Sequence, residues 1–136
     1  MSMRLALVAV VGIVMVLTTA MRVPIWTDEQ ALWRDAVLKA PLKPRPWVNL
    51  GKQYHLRGQA DLAEGAYQTA ILVARQSERS RDEQTLGRGL AEANLALLWT
   101  AHGRQVEGWT LIQNTLASLP SNLDIDRAYR AIRDAR

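Results

Sequence analysis

Hydrophobic residues recur at helical spacing through the middle of the chain. Trp47, Leu50 and Tyr54, with Leu56 less regularly, fall on one face of a helix, and Gly58 marks its end. A second helical stripe combines small and large side chains: Leu62, Ala63, Ala66, Tyr67, Ala70 and Ile71. Because small residues facing large ones allow two antiparallel helices to interlock, the pattern predicts a helical hairpin.

The same spacing returns 45 residues later along the chain. Residues 94–103 match residues 49–58 in the positions of an asparagine, a leucine, an aromatic residue and a glycine. A second stripe follows and ends before a proline: Val106, Trp109, Ile112, Leu116 and Leu119. The sequence therefore predicts a second hairpin of the same kind.

Helices are also predicted on both sides of these hairpins. Residues 28–40 have an apolar face, with Thr27 or Asp28 as the N-cap and Pro41 as the stop. Residues 123–136 predict a short helix with four residues facing inward: Ile125, Ala128, Tyr129 and Ile132. From residue 24 onward, the chain is predicted to be all-α.

The first hairpin resembles a tetratricopeptide repeat (TPR) in the order Trp47-x2-Leu50-Gly51-x2-Tyr54, Gly58, Ala63-x3-Tyr67-x2-Ala70. The resemblance implies a short TPR-like helical solenoid, in which Gly51 allows the partner helix to approach closely. Its parts would be a half-repeat at 28–41, repeats at 44–75 and 89–120, and a capping helix at 123–136. The offset of 45 residues exceeds the usual 34 by 11, or about three helical turns, so longer helices are expected around the intervening turn.

An uncharged apolar stretch, Leu5–Met21, precedes this domain. It is just long enough to span a bilayer as a helix, with Arg22 and Trp26 at the headgroup level, so we expect residues 1–23 to be a membrane anchor. The alternatives are a signal peptide cleaved after Ala20 and a buried core helix.

Two patterns disagree about the orientation of that segment. The positive-inside rule compares the basic residues on the two sides of the segment. Arg4 precedes it, and five bases follow it, which would keep the C-terminal domain in the cytoplasm: Arg22, Arg34, Lys39, Lys43 and Arg45. However, the residues after the segment resemble the junction between the last membrane helix and the TPR tail of bacterial glycosyltransferase- or O-antigen-ligase-like proteins. These residues are Trp26…Leu32-Trp33-x-Asp35-Ala36…Pro41…Arg45-Pro46-x2-Asn49-Leu50-Gly51. That resemblance implies a single-pass inner-membrane protein with a periplasmic domain, but one apolar segment cannot carry the catalysis of those proteins.

Composition and motifs exclude several classes of function. The formal net charge is +4, but the basic residues are dispersed among acids, which argues against nucleic-acid binding. There is no cysteine, so disulfides and thiolate chemistry are excluded. His55 and His102 are the only histidines, and two ligands are too few to indicate a metal site. No phosphate-loop, metalloprotease or nucleophile-elbow motif occurs, so we expect neither an enzyme nor a cofactor.

The TPR resemblance implies a partner-binding groove along the first helix of each repeat. Its expected lining is Arg45, Val48, Asn49, Lys52 and His55 from the first repeat, with Asn94 and Leu97 from the second. Such a groove suits an acidic group next to an apolar anchor. The expected function is that of a membrane-anchored scaffold or accessory subunit of a bacterial envelope complex, with self-association as a further expectation because the array is short. The alternative is a soluble, exported peptide- or glycan-binding protein.

Overall fold

The computed structural model describes residues 10–11, 13–15, 28–76, 81–119 and 122–135. Residues 10–11 and 13–15 are helical and exposed. From residue 28 onward the described residues form six helices and no strand: α1 (Glu29–Lys39), α2 (Pro44–Leu56), α3 (Ala60–Gln76), α4 (Arg81–Ala101), α5 (Gln105–Ser118) and α6 (Leu123–Asp134). For these residues the predicted all-α fold is confirmed.

The predicted membrane segment, Leu5–Met21, lies for most of its length outside the described residues. Within the part of the chain that the structure describes, no helix is both long and apolar enough to cross a bilayer.

The helix ends follow from local chemistry. Asp28 caps α1, because its carboxylate accepts a hydrogen bond from the Gln30 N–H at 3.0 Å. Asn122 caps α6 in the same way through the Asp124 N–H. Gly58 and Gly103 have φ angles of 70° and 82°, which favour glycine, and they form the turns after α2 and α4. Gly58 was predicted as the end of the first helix, and the structure confirms it.

The helices pack in two layers. Each helix contacts its neighbour along the chain, and α2 also contacts α4, which in turn contacts α6. Helices α2, α4 and α6 therefore form one layer, which we call the inner layer. Helices α1, α3 and α5 form the outer layer.

One of the three clusters of the core between the layers is built around Tyr67. This side chain is 0% exposed and packs with Ala63, Leu95 and Leu98. Gly51 faces the Tyr67 ring so closely that an alanine Cβ there would lie 2.5 Å from Cε1 of the ring. The predicted close approach of the two helices at this glycine is confirmed.

Three residues predicted to pack in the helical stripes are instead exposed: Leu56, Leu62 and Val106. They flank the turns after α2 and α4, next to residues that are packed, such as Ala63, so they lie on the solvent side of their helices.

Residues 81–88, which lie between the two predicted repeats, are helical. Helix α3 has 17 residues and α4 has 21, compared with 13 in α2. Helix α4 begins at Arg81, eight residues before the predicted start of the second repeat at 89. These additional turns are held by tertiary contacts, since Gly87 lies against Pro44 at the start of α2.

The Tyr67 hydroxyl is buried and has no hydrogen-bond partner among the described residues. Burial raises the pKa of Tyr67 above its ordinary value of 10.0. The folded state therefore keeps the proton at a pH where the unfolded state releases it, and the stability of the fold should decrease as the pH rises above about 10. Tyr67→Phe should reduce this decrease by up to about 1.4 kcal/mol per pH unit, and at neutral pH it should leave the fold equally stable or about 1 kcal/mol more stable. Urea unfolding at neutral and alkaline pH measures both effects, and parallel pH profiles for the two proteins would contradict the prediction.

Candidate functional site

The inner layer encloses a groove with a cavity of about 280 Å³. Residues at helical i, i+3, i+4 and i+7 spacing on α4 and α6 face each other across it, with one residue from α2. The lining is Lys52 from α2, Leu90, Ala93, Asn94 and Leu97 from α4, and Asp124, Arg127, Ala128 and Ala131 from α6. We call these nine residues the groove.

The groove has an apolar floor of leucine and alanine side chains and a polar margin. The Asn94 Nδ2 donates a hydrogen bond to the Leu90 carbonyl oxygen at 2.7 Å, so its own helix holds the amide in place. Arg127 lies 3.7 Å from Asp124, and because both side chains are exposed this ion pair contributes little stability. Lys52 adds a half-buried positive charge on the opposite side.

The structure brings together three of the seven residues predicted for a partner-binding groove: Lys52, Asn94 and Leu97. Arg45 and Asn49 share a face of α2 with Lys52, at i, i+4 and i+7 spacing, but they do not line the cavity.

Val48 is placed in the core rather than in the groove. Its side chain is buried with Ala70 and Ala91. The reason is its position three residues before Gly51, which puts it on the face of α2 that packs against α3. A partner in the groove would not reach it.

Sequence reasoning missed the contribution of α6, which was predicted only as a cap. Four of the nine lining residues come from this helix. A signal was available, since α6 follows the second hairpin. In a solenoid it therefore occupies the place of the next inner helix and lines the same face.

The two histidines lie at the ends of α2 and α4. Partial burial lowers the pKa of His55, and the charge of the nearby His102 lowers it further. The His102 Nδ1 is 2.8 Å from the Leu98 carbonyl oxygen and donates to it, because a carbonyl can only accept. The described residues contain no cluster of three histidine, aspartate or glutamate side chains that could hold a metal ion.

A polar cluster beside the histidines ties the first hairpin to the second. The Arg104 guanidinium lies 4.3 Å from the centre of the Trp99 ring and 3.1 Å from the Glu64 carboxylate. The Trp99 Nε1 also donates to Glu64, at 2.9 Å. These contacts join α3 to the end of α4 and to the turn that follows it.

A second cavity, of about 230 Å³, lies between the end of α3 and the start of α4. Arg75 and Arg88 line it, and both lie within 4.0 Å of the buried Glu92 carboxylate. Glu92 also accepts a hydrogen bond from the Thr115 hydroxyl at 3.0 Å. The two arginines and the Thr115 hydroxyl balance the charge of the carboxylate and satisfy its hydrogen bonding. We therefore interpret this cluster as one that stabilises the packing of α3, α4 and α5.

No protein-family model, curated protein or solved structure matches this chain.

Proposed function

We propose that this chain is a membrane-anchored, TPR-like scaffold protein whose groove binds a segment of a partner protein. The observation that carries the proposal is the groove itself, in which an apolar floor is bordered by Lys52, Asn94 and Arg127. An apolar floor with a few placed polar groups is the usual composition of a recognition site. The described residues offer no catalytic constellation in the same place.

The TPR-like character is supported by two independent features. The residue pattern of the first hairpin recurs 45 residues later. In addition, α2 contacts α4 and α4 contacts α6, as expected when successive first helices of a repeat array stack on one another. A groove that runs across α2, α4 and α6 follows from that stacking.

The proposed location is the bacterial inner membrane, with the helical domain in the periplasm as part of an envelope complex. This rests on the apolar Leu5–Met21 stretch and on the likeness of the following residues to the junction of a membrane helix with a TPR tail. The proposed array, a half-repeat, two repeats and a capping helix, is near the usual minimum of about three repeats. A partner subunit or a second copy of the chain would supply the missing support.

The proposed ligand segment combines an aliphatic anchor with an acidic group. Leu90, Ala93 and Leu97 offer an apolar surface in the cavity. Lys52 lies at its margin, so an anchored side chain would bring a neighbouring carboxylate near this ammonium group.

Lys52→Glu is expected to weaken partner binding by about tenfold or more, equivalent to about 1.4 kcal/mol, because it places a carboxylate where the ligand carries one. The melting temperature should not change, since Lys52 is only half-buried. Arg130→Glu is the matched control, because it makes the same charge change on the exposed side of α6, away from the groove. Binding isotherms with the captured partner measure the effect, and a loss of fold in Lys52→Glu would show that Lys52 is a packing residue instead.

The whole proposal is tested by purifying the tagged full chain in mild detergent and measuring its intact mass with any bound protein. An intact N-terminus together with a stoichiometric membrane or envelope partner is the expected result. A mass that starts at Met21, with the protein recovered alone from the soluble fraction, would overturn it in favour of an exported binding protein.

A further inference from the structure

A row of aliphatic side chains runs along the groove side of α4. Leu86, Leu90, Ala93 and Leu97 follow one another at intervals of four, three and four residues, which places them on one face of the helix. Three of them line the groove, and Leu86, which is 45% exposed, continues the row toward the start of α4. We call these four residues the α4 row. It is about 16 Å long, so the apolar surface extends beyond the cavity and runs parallel to the axis of α4.

Helix α6 borders the α4 row with small side chains. Ala128 and Ala131 line the same cavity, and Ala131 is exposed. Small residues on one helix leave space for larger side chains of a helix packed against it. The charges on this side of the groove, Asp124 and Arg127, are of opposite sign and pair with each other. The groove is therefore a channel between two helices, with room for the side chains of a third.

The groove provides few hydrogen-bonding groups for the main chain of a ligand. Its floor is made of leucine and alanine side chains, and the Asn94 amide already donates one N–H to the Leu90 carbonyl oxygen. An extended segment would place main-chain N–H and C=O groups against this floor, and each group left without a partner there costs free energy. A helix satisfies its main-chain groups internally. The apolar floor therefore favours a helical ligand over an extended one.

The side of the groove formed by α2 is basic. Lys52 lines the cavity, and Arg45 is exposed on the same face of α2, seven residues earlier. Helix α2 contains no acidic residue that would offset these charges. Because Gly87 lies against Pro44, Arg45 is near the Leu86 end of the α4 row. Acidic side chains seven residues apart on a helical ligand would therefore lie beside both bases.

We propose that the ligand of the groove is an amphipathic helix of the partner protein, which lies along α4. Its aliphatic side chains, at intervals of four and three residues, pack on the α4 row and against the alanines of α6. Acidic residues on its flank pair with Lys52 and Arg45 on α2. The inference rests on the proposed function of the groove. It adds the conformation of the ligand, its apolar length of about three helical turns and the sign of its charge.

Three synthetic peptides of about 18 residues, or about five helical turns, test this inference. The first has leucines at intervals of four, three and four residues, two glutamates seven positions apart on one flank, and alanine and glutamine elsewhere. The second differs by one central proline, which breaks a helix but keeps the leucines and the charges. The third has lysine in place of the glutamates. Fluorescence anisotropy with the full chain in mild detergent measures the affinities, and detergent alone is the blank.

The first peptide is expected to bind about tenfold more tightly than the second or the third. Arg45→Glu should weaken its binding several-fold, whereas Arg130→Glu, on the exposed side of α6, should leave it unchanged. Ala131→Trp should abolish binding, because the indole would fill the groove from an exposed position. Circular dichroism of each variant verifies that the fold is kept.

The helical ligand and the groove itself fail differently in these measurements. Equal affinity for the first two peptides, or no binding of any peptide, would overturn the helical ligand. The proposed function would still stand if Ala131→Trp abolished binding of the partner captured in detergent. If Ala131→Trp bound that partner as well as the unchanged protein does, the groove would not be the binding site, and both proposals would fail. Equal affinity for the first and third peptides, or no effect of Arg45→Glu, would overturn the acidic flank.

Discussion

Tyr67→Ala is expected to lower the free energy of unfolding by about 3–5 kcal/mol, as for other aromatic truncations in cores. The Tyr67 ring is fully buried between the two hairpins, where it packs with Ala63, Leu95 and Leu98. Its removal leaves a cavity at a point where the backbones of α2 and α3 are already close. Urea unfolding of the full chain in mild detergent, followed by circular dichroism, measures the change.

Tyr129→Ala provides a control of the same chemistry. Tyr129 stacks on Trp109 with ring centroids 5.3 Å apart, but it is only half-buried. Its truncation should therefore cost less than that of Tyr67. An unchanged unfolding midpoint for Tyr67→Ala would mean that the hairpin is assembled in a different register.

Gly51→Ala is expected to destabilise the fold by about 1–3 kcal/mol, the usual cost of overpacking a core. The new Cβ would lie 2.5 Å from the Tyr67 ring, which is enclosed and cannot rotate away. Gly65→Ala is the matched control, because this glycine is also inside a helix but has no atom within 4 Å of an added Cβ. That change should stabilise the fold by about 0.5–1 kcal/mol through helix propensity alone.

A double-mutant cycle separates the steric effect of the contact between position 51 and Tyr67 from the effect of alanine on helix propensity. In a Tyr67→Ala background the clash is gone, so Gly51→Ala should become neutral or stabilising. Additive effects of the two changes would show that the cost at Gly51 has a cause other than the ring. Thermal or urea unfolding of the four proteins provides the comparison.

The hairpins could be predicted from the sequence because the spacing of their apolar and small residues follows from how the two helices pack against each other. Trp47, Leu50 and Tyr54 at helical spacing mark one face of α2. Gly51 is small because the ring of Tyr67 occupies the space next to it. Helix ends at Asp28 and Gly58 were also predictable, since capping and positive φ depend on nearby residues.

The other features of the fold and of the groove depend on tertiary contacts, which the sequence pattern does not show. Residues 81–89 are mostly polar and contain two glycines, and the contact between Gly87 and Pro44 contributes to holding them as helix. Repeat alignment could not show which way each helix is rotated, so Val48 was predicted for the groove although it is buried. The lining from α6 depends on how that helix crosses α4, and the sequence pattern predicted its apolar face alone.

The attachment of α1 has a mechanical consequence. Among the described helices, α1 packs against α2 alone, and Arg57 holds its first residues through Asp28 and Gln30. A pulling force applied through the N-terminus therefore acts first on the helix with the fewest neighbours. The stability of such arrays is approximately a sum of contacts between neighbouring elements. We therefore expect α1 to detach before the force reaches the packing around Tyr67. This end of the molecule would then act as an extensible link, which yields under tension while the groove stays intact.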